Sequence, residues 1–427
     1  MARITVQFFH LLDDSHLALI PVEVSNDRGN IIYRQAVPLS TNASLDYDFE
    51  PGSYLVRGSL PSGEIAACTV DLTNTPSAVA MLRSPTRSPR ESLSWAYYLQ
   101  RAPLRSAAKA GQSSAQELLE LNLKFSARPI PPVTNFWQHG AAGWTQLPVT
   151  QGVPHGGFFT YVNYDSSVQA QEPDAMLFIE LNSDLSLQYF LGQFWIQVVS
   201  GVHSQFVAVP PAQKMRIYIV NNEPKNELDP PFRVIVGSGD PTMQSLVGFL
   251  ASGDFDSARS VGDQWLTVAE KMLHDKLIDG VAAAVAGYFL LRVGEHSRLH
   301  DWTRNLADWI GWLPDGPVIR AFHVLSEKDP DMKEVRQRLL QAVERGIPLY
   351  TEGLRMLFDG LNMLNTHAGG DDPLLQQALQ NVRSYAATAR WNSPVTSFAA
   401  IEPSHPQLPE LATTAYAPAG SAVRVPA

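Results

Sequence analysis

One cysteine, Cys68, stands in 427 residues. That excludes an intramolecular disulfide and any zinc site assembled from several thiolates. Long apolar runs are missing as well. The longest, VAAAVAGYFLL at 281–291, falls far short of the roughly 20 residues that cross a bilayer, so no membrane partner is expected. Positive charge is scarce: the formal net charge is −10, the wrong sign for a generic nucleic-acid binder. The opening MARITVQFFHLLDDSHLALI has its apolar stretch broken by Asp13 and Asp14 before any small-residue cleavage site. It reads as a strand and not as a signal peptide. A cytoplasmic protein of a reducing compartment is the expectation.

The signature loops of several enzyme classes are also lacking. There is no G-x-S-x-G elbow, no G-x-x-x-x-G-K-[ST] phosphate loop and no G-x-G-x-x-G opening a helix. VGSGDP at 236–241 reads only as a strand-to-helix joint. A Ser-His-Asp set drawn from distant segments stays open, because triads are defined by geometry and not by spacing.

What is present is a foldable, multidomain composition: 45% apolar and 17% charged residues over 427 positions, enough for two to four cores. Residues 1–75 alternate with period two. Ile4, Val6 and Phe8 share a parity, as do Ile20, Val22 and Val24, then Leu45, Tyr47 and Phe49, then Tyr54 and Val56. NDRGN, EPGS and PSGE punctuate them, which predicts a small β-sandwich. The phrase FEPGSYLVRGSLPSGE at 49–64 resembles the later strands of carboxypeptidase-regulatory-like sandwich modules. The resemblance implies a scaffold or binding unit and no catalytic residue.

Residues 76–124 read as a basic linker with a short helix at 114–125. Between 83 and 109, Arg83, Arg87, Arg90, Arg101, Arg105 and Lys109 face Glu91 alone, a local charge of about +5 that leaves about −15 elsewhere. Arg83, Arg87 and Arg90 are the candidate partner-docking residues; the competing reading is a solvated linker folded against the chain's own acidic surface. From 125 to 238 strand runs return as FFTYVNY, AMLFIEL, FWIQVV, MRIYIV and FRVIV, predicting a second, larger β-sandwich.

After Gly239 the period lengthens. Trp265, Val268, Ala269 and Met272, then Leu354, Leu357, Phe358 and Leu361, then Leu375, Ala378, Leu379 and Val382 keep helical spacing. Asp240–Pro241 and Asp372–Pro373 read as N-cap and first-turn proline, and Pro317 as another such proline. Six or seven helices fit an α-helical domain over 239–392, solenoid-like or bundled. WLPDGPVIRAF and GIPLYTEGLRMLFDGL resemble a helical domain of uncharacterised bacterial proteins, from which no function carries over. The tail, 393–427, holds six prolines and no periodicity. It is expected to be disordered or docked only by a partner. The fold class is thus two β-sandwich domains and then an α-helical domain.

Three clusters could carry chemistry. His296 and His300 lie four apart in VGEHSRLHDW, but on a continuous helix they sit ~90–130° from its apolar stripe. Ser297 replaces the glutamate of an H-E-x-x-H site, Arg304 comes next on the same face, and a third ligand is missing. A helix start is the simpler reading. NTHAGGDD at 365–372 groups His367, Asp371 and Asp372, where a loop with Asp372 as cap outweighs an ion site. His155, with Trp137 and Trp144 upstream, forms the leading candidate for a ligand-recognition loop; the alternative is a turn feeding a strand, with aromatics in the core. No metal, cofactor or catalytic residue is expected.

The function these residues imply is protein–protein interaction, as an adaptor or accessory subunit, extended to a regulator or substrate within a bacterial multi-gene defence or proteolysis system. The alternative is a carbohydrate-active or other hydrolytic enzyme using 125–238. A pocket with paired carboxylates there would favour the enzyme; an apolar patch on the helices would favour the adaptor.

Overall fold

The computed structural model describes residues 2–9, 19–38, 43–45, 47–59, 65–83, 132–140, 143–147, 159–165, 175–183, 192–211, 214–222, 229–238, 241–252, 263–369 and 371–408. Arg87, Arg90, His155 and the helix expected at 114–125 lie outside them, as does most of the basic linker.

The chain opens with β1 (Arg3–Phe9), β2 (Leu19–Ser25), β3 (Ile31–Pro38), β4 (Ala43–Ser44), β5 (Ser53–Ser59), β6 (Ile65–Asp71) and β7 (Ser77–Arg83). They form two sheets, β4-β1-β7 and β3-β2-β5-β6. Alternation works as the sequence implies: Ile4, Val6 and Phe8 point inward with Val22, Val24, Val56, Ala66 and Val70, and these residues share one core. Gly58 marks where the sheets meet, because a Cβ there would lie 2.9 Å from Leu82. At the β2–β3 turn, the Asn26 side chain accepts from the Arg28 and Asn30 amides while Gly29 takes φ +77°, the left-handed geometry glycine permits.

Two details differ from expectation. The strand read over 45–49 gives way to β4, which ends at Ser44, and a bridge from Ala2 to Phe49, leaving Tyr47 exposed beside buried Leu45 and Phe49. The unit also runs past residue 75. β7 pairs in parallel with all of β1, ending at Arg83↔Phe9. Arg83 therefore belongs to a strand and not to a linker.

The rest is built differently. β8 (Val133–Gly140), β9 (Gly143–Leu147), β10 (Phe159–Asp165), β11 (Ala175–Ser183), β12 (Gln193–Ser200), β13 (His203–Ala208), β14 (Lys214–Asn221) and β15 (Phe232–Ser238) precede eight helices among the described residues. These are α1 (Pro241–Ser252), α2 (Asp263–His274), α3 (Gly280–Val293), α4 (Trp302–Trp309), α5 (Asp315–Leu325), α6 (Met332–Arg345), α7 (Thr351–His367) and α8 (Pro373–Thr388). Two short strands come after them, β16 (Ser397–Glu402) and β17 (His405–Pro406). The sheets are β10-β11-β14-β15 and β17-β16-β13-β12-β8-β9.

The strand after the helices corrects the view of the tail. β16 pairs antiparallel with β13, Phe206 opposite Phe398, and Phe398 is fully buried. Its ring stacks on Phe206 at 5.6 Å and meets Trp195 and Tyr385 edge-on. Long-range pairing, invisible to local periodicity, orders this proline-flanked segment. Residues 409–427 lie outside the described residues.

The expected division at 238/239 is consequently a change of secondary structure and not of core. One continuous apolar core runs from Phe136 through the helices to Ala400, and it includes no residue of β1–β7. β12 shows why: Gln193 to Val198 are all buried, so both its faces are covered. One face carries Phe194, Ile196 and Val198. The other carries Gln193, Trp195 and Gln197, whose polar groups are satisfied. Gln193 Nε2 donates to the Arg345 carbonyl at the end of α6 (3.1 Å), and Gln197 accepts from Trp137 Nε1 (3.0 Å). Buried amides with partners avoid the penalty of unpaired ones.

The run 281–291 becomes α3, buried all round as a central helix must be. Asp279 caps its start, and Gly294 at φ +77° ends it. No helix of the described residues is long and apolar enough to cross a membrane. The predicted cap at Asp372 is present, its carboxylate accepting from the Leu374 and Leu375 amides. Pro317 is displaced: α5 begins at Asp315, so the proline is its third residue. It still falls among the first four residues, whose N–H groups have no intrahelical acceptor.

Candidate functional site

The segment 293–302 does not form the continuous helix that spacing suggested. His296–Leu299 is a single 3-10 turn, and His300 leaves it at φ +47°, the only non-glycine positive φ among the described residues. The two histidines consequently diverge. His296, with Nδ1 buried and without a hydrogen-bond partner, lies close enough to His323 to lower its proton affinity. His300 turns outward and reaches Glu270 of α2, Nε2 to Oε1 2.8 Å. The carboxylate that His300 meets is thus not a sequence neighbour, Glu295 or Asp301, but one 30 residues upstream. The second Glu270 oxygen accepts from Arg298 at 2.8 Å, and the His300 and Arg298 bonds hold the carboxyl below its usual range. No group of three or more His, Cys, Asp or Glu among the described residues could hold a metal ion.

Around this pair a corner of cations and aromatics is assembled. Trp302, the first residue of α4, packs against His300 at 4.4 Å and His274 at 5.1 Å. Lys276, only 4% exposed, lies 5.6 Å over both the Trp302 and Trp309 rings. Its ammonium donates to the Leu273 and His274 carbonyls at the end of α2, where the helix dipole favours a cation. Burial lowers its pKa and Asp275 opposes the shift.

Next to it the surface is apolar. Leu277, Ile278 and Trp309 are 51%, 69% and 51% exposed. The segments that carry them adjoin: Lys276 lies over the Trp309 ring, and Gly280 abuts the Ile310 side chain closely enough that a Cβ would overlap it. Trp309 keeps helical spacing with Leu306, Ile310 and Leu313; those three are buried and Trp309 is not.

Below lies a buried polar network that sets the helices. Asp315 is fully buried, its oxygens accepting from Tyr288 Oη (2.9 Å) and the amides of Leu349 (2.9 Å) and Tyr350 (3.4 Å). Burial raises its pKa to about 6, against the pull of those donors. Gly353 is required beside it, because a Cβ would fall 2.2 Å from Tyr288 Oη. Arg320 forks onto Glu334 at 2.8 and 3.0 Å, joining α5 to α6. His323 Nδ1 shares a hydrogen bond with Thr303 Oγ1 at 2.8 Å, and burial, then Arg320, depress its pKa to about 4.

A second recess, of about 290 Å³, opens between β15, Gln205 of β13 and the turn at 390–394. Arg390 Nη1 meets Asp229 at 3.1 Å on its wall. Desolvation, then Arg390, lowers the pKa of His203 nearby. Gln205 is 7% exposed; its Nε2 donates to Ser397 Oγ and its Oε1 has no partner.

The other residues singled out by sequence are dispersed. Trp137 in β8 and Trp144 in β9 are half-buried; Trp144 packs on His139 and Trp195 at 4.8 and 5.8 Å. Both thus border the core, with His155 outside the described residues. Asp372 is occupied by its cap and by Arg336 at 2.7 Å, while His367 stands exposed in the last turn of α7. Sequence reasoning missed Glu270, Lys276 and Gln205. A lysine next to a helix end and a tryptophan at the close of a short helix were the available signals for the corner.

A family model described as the Y4kD C-terminal domain matches residues 245–426. The match spans the helices and the strands that return to the sheet. It begins beyond the segment 49–64, so it lends the carboxypeptidase-regulatory-like resemblance no support. No curated protein and no solved structure matches the chain.

Proposed function

We propose that this chain is a non-enzymatic protein-binding subunit, an adaptor whose docking face is the corner formed by Leu277, Ile278 and Trp309. The exposure of these three large apolar side chains carries the reading. Single exposed apolar residues are ordinary, but three on adjoining segments, headed by tryptophan, match the composition of interaction hot spots. Lys276 stiffens the site by fixing the Trp309 ring from beneath, so less side-chain freedom is lost on docking. The paired sheets on each side are read as sandwiches that act as scaffold.

The hydrolytic alternative finds less support. Acid–base cleavage of a glycoside uses two carboxylates facing a cleft. Among the described residues the recess beside β15 is lined by one, Asp229, already paired with Arg390.

Ile278→Asp and Trp309→Ala test the proposal. Both should keep the melting temperature within a few degrees, since neither side chain is buried. In quantitative affinity capture from the native host, a protein held stoichiometrically by the wild type should be lost from both variants. An identical set of bound proteins for all three would refute the docking face.

A further inference from the structure

The recess beside β15 has a chemistry of its own, distant in sequence from the helical corner. Its floor runs along five consecutive residues, Phe232 to Val236. Side chains of a strand point alternately to opposite faces, so a cavity bordered by an unbroken run of one lies along the strand's edge. β15 ends its sheet, bonded to β14 on one side with no other strand beside it among the described residues. Such an edge presents main-chain donors and acceptors outward. Gln205 adds a buried amide carbonyl without a partner, and a group in that state lacks the hydrogen bond that would offset its desolvation.

These features select among ligands. An anion would meet the Asp229 carboxylate, and neither cation on the wall is free for it: Arg390 pairs with Asp229 and Arg233 has a partner of its own. A sugar would want an open aromatic platform, yet Phe232 is buried at 1% exposure. A main chain, alternating N–H and C=O, suits both the edge of β15 and the free Gln205 carbonyl. We propose that this groove binds a short extended peptide segment by strand addition to β15, with one peptide or side-chain N–H donated to Gln205 Oε1 and the Arg390–Asp229 pair flanking the entrance. This is a second binding site, separate from Leu277, Ile278 and Trp309.

Panning the full chain against a phage library of random dodecapeptides tests it, with enriched sequences resynthesised as acetylated amides and measured by fluorescence polarisation. An N-methyl scan of the best peptide should abolish binding at every second residue and leave the residues between unaffected, because only alternate amides face one neighbour in a strand pair. Gln205→Leu should weaken the same peptide about tenfold, the loss of one buried hydrogen bond, while Trp309→Ala leaves it unchanged. No enriched peptide, a scan without alternation, or equal affinity for a folded Gln205→Leu protein would each overturn the proposal. Should Gln205→Leu fail to fold, the N-methyl scan on the wild type decides alone. Loss of binding with Trp309→Ala would place the peptide at the corner and also overturn it.

Discussion

Residues 2–83 and residues 132–408 both contain pairs of β-sheets, yet they obtain their stability in different ways. The first region closes its own core, with Ile4, Val6, Val24, Val56 and Leu82 meeting across two sheets and, among the described residues, no helix involved. The second cannot close on its strands. β12 is buried on both faces, and the side bearing Gln193 and Trp195 needs the end of α6 and the returning β16 to cover it. A strand pattern that alternates with water on one face makes an independent unit; a strand buried on both faces depends on the elements that cover it. The change from period two to helical spacing at 239 therefore marks the middle of a folding unit.

The contacts form a chain that predicts where this unit breaks. Asp315 holds the amides of Leu349 and Tyr350. Leu349 and the neighbouring Thr351 bond across to the approach to β16, Thr396 N to the Leu349 carbonyl at 2.8 Å and Thr351 N to the Pro394 carbonyl at 3.1 Å. β16 then completes the sheet on β13. Ending the chain after Asn392 is expected to have the largest effect: calorimetry should show loss of cooperative melting for the second region, with the β1–β7 transition unmoved. Expressing 240–392 alone should for the same reason give an insoluble or molten product.

Within the intact chain, Phe398→Ala should destabilise the second region by about 3–5 kcal/mol, the range for a buried phenylalanine. Asp315→Ala should cost about 3 kcal/mol, as two amides and a tyrosine hydroxyl lose their acceptor. Urea melts read by tryptophan fluorescence measure both, since every tryptophan among the described residues lies beyond β7. The counterpart in the first region is smaller. Tyr54→Phe removes the 2.7 Å bond to the Glu50 carbonyl, worth about 1 kcal/mol, and should shift the β1–β7 transition alone.

The smallest effect is a matter of slope. Asp315 has its pKa raised from 3.8 to about 6, so its contribution is full below pH 3.8 and is lost as pH rises through 6. His323 is depressed from 6.5 to about 4, so its contribution is present above 6.5 and is lost as pH falls through 4. The two oppose each other between about pH 4 and 6. Asp315→Asn should leave stability rising with pH over that interval, and His323→Gln should leave it falling. Equal slopes for the two variants, in urea titrations at about pH 4, 5 and 6, would contradict these assignments.

Sequence patterns revealed strands where they are richest in branched and aromatic residues: AMLFIEL, FWIQVV, MRIYIV and FRVIV all lie within strands. They did not reveal VTNFWQHG or HSQFVA as β8 and β13, because buried and half-buried amides and histidines look, in one dimension, like a wetted face. SFAAIE escaped for a related reason: six residues between prolines carry no period, and burial comes from pairing with β13. Around the candidate site, the His296–His300 spacing was legible but its helix was not, since His300 breaks it at φ +47°. Glu270 and Lys276 become visible only when α2 is laid beside α4. Trp309 fits the apolar period and is nevertheless exposed, because α4 ends on it.

Native-state hydrogen exchange in low denaturant puts the two-region account to its most direct test, reading the opening free energy of each amide in the full chain. Amides of β12, β14, α3, α7 and β16 should converge on one unfolding isotherm, and those of β1, β2 and β5 on another. If β12 and β14 instead converged apart from α3 and α7, with β16 opening before either, the second region would be two units joined at residue 239 and the shared core would not govern its folding.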